Sequence, residues 1–251
     1  MGAQPQTVVE ESADALAASI AARLIAALTA ALSVRPVAHL VLTGGGILEQ
    51  VMRAVVDSPA RDSLDWSRMH IWWGDERFVP SDSDDRNDKA AFAAFLGALP
   101  LDPALVHRMP ASGGEWGEDV DAAAAAYAAE LAAAAEDGDL PRFDVLLLGL
   151  GPDGHCASLF PDSPGVHEEL LSVIGVHDSP KPPPLRMSLT FRTLDAASEL
   201  WLIASGPGKA QAVARALGGA SKFEVPSAGP RGREHTLWLI DRDAASELPA
   251  P

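Results

Sequence analysis

FDVLLLGLGPDGHCASLFP, residues 143–161, is the stretch from which the rest of the chain is read. Residues 143–148 are apolar apart from Asp144 and have the length of one strand. Such a run without polar alternation suits a strand covered by helices on both faces. The run ends in Gly149-Leu-Gly151-Pro-Asp153-Gly154, and the next residue is His155. The letters satisfy GxGxxG, the dinucleotide fingerprint, but that fingerprint must open a long helix, and Pro161 follows within about two turns. The turn is therefore predicted to display a histidine at the exit of a central strand. An imidazole titrates near neutral pH, so it can take a proton from water and return it to a leaving group. Asp153 is close enough in sequence to influence its tautomer. The neighbouring Cys156 is predicted to be a buried small residue rather than a nucleophile.

Working outward, the same alternation of short apolar runs and helical patterns recurs. Strands are predicted at 37–42, 69–73, 143–148, 171–176, 186–191, 200–204 and 236–240, and helices at 12–32, 47–56, 87–96, 119–135 and 208–217. This is the pattern of an α/β fold with a mostly parallel sheet and helices on both faces. No internal repeat or linker divides the chain, so residues 1–251 are expected to form a single domain. SPKPPP, 179–184, and SAGPRGR, 227–233, are predicted as surface excursions. Near the N-terminus, Leu16, Ile20, Leu24, Leu28 and Leu32 recur every four residues behind acidic Glu10, Glu11 and Asp14. That favours an amphipathic first helix over a signal peptide, which opens with positive charge, or a membrane span.

Composition narrows the function. The chain has 251 residues, 47% of them hydrophobic, enough for a full core, and its one cysteine cannot form an internal disulfide, so a cytoplasmic setting is the default expectation. A formal net charge of −16 argues against nucleic acid and anionic membrane as partners. It also means that an enzyme acting on an anionic substrate needs a local cluster of cations and donors. In parallel α/β sheets such clusters gather where strands exit into helices.

Four exits carry chemistry. Thr43, Gly44, Gly45 and Gly46 lead into a helix, and glycines there let backbone amides approach an anion at the helix N-terminus; a tight turn is the alternative. Gly74-Asp75-Glu76-Arg77 follows HIWW. Arg77 offers a planar fork to a phosphate, with Asp75 available to orient it or to meet sugar hydroxyls, and a surface ion pair is the alternative. The third exit is the His155 turn itself. The fourth, Ser205-Gly-Pro-Gly-Lys209, puts an ammonium at a helix start. Arg186, opening RMSLTF, is a further cation.

Taken together, GLGPDGHCASLFP, WWGDERFVP, NDKAA, RMSLT and SGPGKA resemble the signature blocks of 6-phosphogluconolactonases, in the family's order, across about residues 40–217. The resemblance implies that His155 is the general base and that Arg77 and Lys209, with the loop 43–46, bind a phosphate. It implies that Asp75 helps arrange the site and that Asn87 and Arg186 occupy motif positions. It further implies a pentose phosphate pathway enzyme without metal or organic cofactor, on a fold similar to that of sugar-phosphate isomerases and deaminases. The expected partner is a small sugar phosphate; oligomeric state is left open, a monomer included. The amides of the glycine turn, Gly154 among them, are the expected oxyanion donors.

Two departures stand out. Where the family often reads Gly-Gly-Ser-Thr-Pro, this chain has Gly46, Ile47 and Leu48 after Gly44-Gly45, so hydroxyl contacts expected there are lost. The segment beyond Phe223 is poorly matched and is assigned no functional residue. One alternative is a glucosamine-6-phosphate deaminase-like enzyme; against it, ASLFP after His155 lacks the acidic residue of Phe-Asn-Glu-Pro. The other is a non-catalytic sugar-phosphate-binding protein; against it, no DNA-binding helix pair precedes the first helix.

Overall fold

The computed structural model describes residues 4–249. The strand predicted at the centre of the reading, β5 (Val145–Gly149), is fully buried over 145–148 and lies inside a six-stranded sheet. Its neighbours are β2 (Ala38–Leu42) and β8 (Glu199–Ala204). Beyond them lie β3 (Met69–Trp73) on one side and β9 (His235–Asp241) and β1 (Gln6–Glu10) on the other. All five pairings are parallel. Every residue of β2 is also buried, as expected for central parallel strands.

The crossover helices bury apolar stripes against this sheet. In α1 (Ala13–Val34), Leu16, Ile20, Leu24 and Leu28 are 0% exposed, and burying each such side chain contributes about 1.5–3 kcal/mol. Although α1 is long and apolar enough to cross a membrane by length and composition, this stripe packs in the core, and half of its most apolar window is buried. Ser12 caps its start by accepting from the Ala15 amide at 3.3 Å. At its end Arg68 donates to the carbonyls of Leu32 and Arg35 at 3.3 and 2.6 Å, satisfying acceptors the helix leaves open. The α2 helix (Gly46–Asp57) packs beside α1.

Three expectations are corrected. The strands predicted at 171–176 and 186–191 do form, as β6 (Val173–Val176) and β7 (Arg186–Leu189), but outside the parallel sheet. With β4 (Asp75–Arg77) they make a three-stranded antiparallel sheet in the order β4-β7-β6. An apolar run reports burial, not pairing direction, so this division was not legible. Strand β1 was not anticipated, because QTVVE is a short, largely exposed edge. Helix α3 (Asn87–Ala94) ends two residues early, and α4 (Val120–Ala133), capped by Asp119 on the Ala122 amide at 3.0 Å, packs against β6 and β7. The two sheets meet where the Leu189 amide donates to the Gly74 carbonyl at 2.9 Å, and both contribute to one hydrophobic cluster. After α5 (Phe191–Leu194), α6 (Ala210–Leu217) completes the helices.

Candidate active site

The carboxyl ends of β2, β5 and β8 open onto a cavity of about 420 Å³ that also receives β4 and β7. Thr43, Gly44, Gly45, Gly46, Asp75, Arg77, His155, Arg186 and Lys209 all line it, so the four exits converge. Arg77, Lys181, Arg186 and Lys209 put four cations around one opening, against Asp75 among its lining residues, in a chain of net charge −16. That is the local reversal of sign an anionic substrate requires.

At the β2 exit, Gly45 has φ of +120° and α2 begins without a side-chain cap. The Glu49 amide closes the first helical bond on the Gly45 carbonyl at 3.1 Å. The amides of Gly46, Ile47 and Leu48 therefore have no partner within the helix and stand at the cavity with the positive end of the helix dipole. Loss of the family's hydroxyls leaves this backbone site intact. Gly44 has a separate reason: a Cβ there would overlap the Asn87 side chain.

Asn87 is tied to Arg77 through a buried carboxylate. Glu76, 0% exposed, accepts from the amides of Arg77, Asn87 and Asp88 at 2.8, 2.8 and 2.9 Å and faces Arg86 at 3.8 Å. Burial pushes its carboxyl up to about 7 against the pull of Arg86 and these amides. Arg77 then donates to the Asn87 Oδ1 and the Asp85 carbonyl at 2.9 and 2.7 Å, and its buried Nε has no partner. Glu76→Ala is expected to lower stability by about 2–4 kcal/mol by orphaning three amides and weakening the setting of Arg86. Urea unfolding checks this, and a loss below about 1 kcal/mol would contradict it.

At the β5 exit no helix follows the glycines. Residues 150–159 form a compact turn held by bridges between Leu150, Cys156 and Leu159, which removes the dinucleotide reading on geometry. The His155 Nδ1 lies 2.5 Å from the Asp153 Oδ1. Gly151 makes this possible, because a Cβ there would strike both the imidazole and the Asp153 carboxylate. Burial works to raise the Asp153 carboxyl, but the hydrogen bond and charge of His155 together with the Lys181 ammonium prevail and hold it well below the usual range. Gly154 does not line the cavity. Its amide donates to the Gly151 carbonyl and the Gly151 amide to the His155 carbonyl, both at 2.9 Å. These two turn amides are committed to the turn and are not free as oxyanion donors.

Asp75 accepts from the Ser158 hydroxyl at 2.7 Å while its carbonyl accepts from the Asn87 amide nitrogen at 3.1 Å. It therefore links the histidine turn to the arginine turn. Cys156 is 0% exposed and burial raises its thiol, as expected of a small packing residue and not of a nucleophile. The Lys209 ammonium donates to the Leu150 carbonyl at 2.7 Å. Burial, then Lys181 nearby, lower its pKa against the pull of Asp153.

Both predicted surface excursions are corrected. SPKPPP delivers Lys181 into the cavity, 3.1 Å from the His155 Nδ1. Arg186 is only partly free for substrate, since it donates to the carbonyls of Lys181, Pro182 and Pro183 at 3.0–3.2 Å. The first part of SAGPRGR is buried beneath the histidine turn, with the Ser227 amide donating to the Gly154 carbonyl at 2.9 Å and Val225 set against Gly154. Proline and glycine content marks loops but does not say whether they fold inward.

The family described as glucosamine-6-phosphate isomerases/6-phosphogluconolactonase matches residues 11–238. A 6-phosphogluconolactonase of Streptomyces coelicolor is 53% identical over 99% of this chain and 97% of its own length. One from Mycobacterium tuberculosis is 50% identical over 94% and 96%. The structure of 6-phosphogluconolactonase from Trypanosoma brucei superposes with a TM-score of 0.82 at 27% identity, covering 98% of this chain and 99% of that one. With the site's convergence of exits and these matches over nearly the whole chain, the protein belongs to the 6-phosphogluconolactonase family.

Proposed function

We propose that this protein hydrolyses 6-phospho-D-glucono-1,5-lactone to 6-phosphogluconate, the lactone-opening step of the oxidative pentose phosphate pathway, in the cytoplasm. The observation that carries the reading is a histidine paired to a carboxylate at a cavity that Arg77, Lys181, Arg186 and Lys209 also line. Asp153 engages Nδ1, which leaves Nε2 as the nitrogen that takes a proton from water. The hydroxide adds to the lactone carbonyl, the tetrahedral intermediate collapses, the bond from the carbonyl carbon to the ring oxygen breaks, and His155 returns its proton to that oxygen. Opening an ester in this way is acid–base chemistry on the chain's own groups. Arg77, Lys209 and the amides at the start of α2 hold the phosphate, so that one face of the carbonyl meets the water. A sole cysteine, buried as a free thiol, is compatible with a reducing compartment.

The test is a coupled assay of freshly generated lactone with and without enzyme, since the lactone also opens unaided. A rate equal to the unaided one would overturn the reading. Within the same assay Arg77→Ala is expected to raise KM by about 10–100-fold with a smaller change in kcat, the signature of lost uniform binding. A lowered kcat at unchanged KM would instead place Arg77 at the reacting centre.

A further inference from the structure

Lys181 belongs to neither the family blocks quoted from the sequence nor any of the four exits, yet its ammonium is the cation in contact with the hydrolytic pair. It lies 3.3 Å from each of the two Asp153 carboxylate oxygens and 3.1 Å from the His155 Nδ1. The loop presenting it connects β6 to β7 and is closed at its base by the pairing of Val176 with Arg186 and by the Ser179 amide donating to the Pro184 carbonyl at 3.0 Å. Prolines at 180, 182, 183 and 184 restrict the backbone, and the Ser179 hydroxyl accepts from the Lys181 amide at 3.2 Å and donates to the Lys181 carbonyl at 2.8 Å. From below, Arg186, 5% exposed, binds three consecutive carbonyls of the loop. A buried arginine committed to three carbonyls fixes where the loop stands, and so where the ammonium is delivered.

We propose that Lys181 is a positioning residue of the hydrolysis, acting through Asp153, with Arg186 as the clamp that holds its loop. The inference rests on the lactonase reading of the same cavity. The Asp153 side chain is about one-third exposed, and His155 holds its Oδ1 alone, through the ring nitrogen and the amide, while Lys181 also reaches the Oδ2. Lys181 spans the two oxygens and fixes the carboxylate plane; the fixed carboxylate accepts the Nδ1 proton of His155; and the imidazole is kept in the tautomer whose Nε2 lone pair faces the water. The role requires no contact with substrate. Lys209 and Arg77 differ in this respect, since neither hydrogen-bonds to the pair.

A double-mutant cycle separates this from the other uses of a lysine in a phosphate-binding cavity. Lys181→Met is expected to lower kcat by about tenfold with KM within about twofold, as for other groups that orient a functional histidine. In an Asp153→Asn background the same substitution is expected to change kcat by less than about twofold, because the carboxylate it acts through is gone. Lys181→Arg, which keeps the charge and can still span two oxygens, is expected to retain at least about a third of kcat. Equal losses in both backgrounds, or a raised KM at unchanged kcat, would overturn the proposal. Loss of activity in Lys181→Arg equal to that in Lys181→Met would overturn it as well. Wild-type enzyme in the same assay separates the two levels: wild type at the unaided rate sinks the lactonase reading, whereas an active wild type with the wrong pattern sinks the role of Lys181 alone.

Discussion

His155→Ala is expected to lower kcat for the lactone by about 10²–10⁴-fold while KM changes by less than about threefold. The size follows from the number of steps the imidazole carries. In the proposed mechanism it takes a proton in the addition step and gives it back in the collapse, and the turn that presents it offers no second base in contact with the same nitrogen. Asp153 is held as a carboxylate by His155 and Lys181, so it orients the ring and does not replace it. Cys156, completely buried and with its thiol pushed up, cannot substitute either. The proposed phosphate contacts lie on other strand exits and remain intact in the variant, which is why binding is expected to persist. Since unaided opening of the lactone sets a floor, the measurement is initial rate above that floor at several substrate concentrations. Near-normal turnover would remove His155 from the base role.

The second large effect concerns stability at acid pH, and it originates at the opposite end of the sheet. His39 and His70 face one another across β2 and β3 with rings 4.3 Å apart, and Trp72 and His107 extend the stack, their rings 3.6 Å apart. The Trp72 Nε1 donates to the His39 Nδ1 at 3.1 Å, so that nitrogen must lack a proton. The His70 Nδ1 meets the His107 Nε2 at 2.8 Å, a contact with room for one proton only, and the His107 Nδ1 meets Glu130 of α4 at 2.6 Å. Arg35 and Asp144 sit beside His39, Asp144 accepting from its backbone amide at 2.8 Å. Burial, reinforced by the neighbouring histidines and Arg35, pushes His39 down to about 3; burial and His107 push His70 down to about 4.

In the unfolded chain both rings take up a proton near pH 6.5. Folded pKa values below unfolded ones mean that stability is fully present above about pH 6.5 and is lost as pH falls from there toward 4, at about 1.4 kcal/mol per pH unit for each ring left one proton short. Several kcal/mol are expected to vanish by pH 4.5, seen as a falling urea midpoint between pH 7.5 and 4.5. A midpoint unchanged between pH 7.5 and 5 would contradict it.

Much of the fold and site was legible because the signals are local. The continuous apolar run before Gly149, the four-residue leucine spacing of α1 and the glycine-rich exits all report how a short segment meets its surroundings. Hence β2, β3, β5, β8 and β9 and helices α1 to α4 and α6 formed close to the expected places. The features that were missed depend on where distant segments meet. Ser158 reaches Asp75 across 83 positions of chain, and Lys181 reaches His155 across 26. Neither pairing leaves a periodicity.

By itself the sequence determined the α/β class, the identity of the cavity's main residues and the rejection of a dinucleotide turn, since each depends on residue type and short-range order. Only the tertiary structure decided that the turn amides of Gly151 and Gly154 are committed to the turn, and that Arg186 clamps a loop. It alone decided that SPKPPP points inward and that β4, β6 and β7 pair antiparallel. The physical reason is that hydrogen-bond saturation and charge proximity are properties of neighbours in space. A glycine, a lysine or a proline-rich loop reads the same whether its donors are free or already paired.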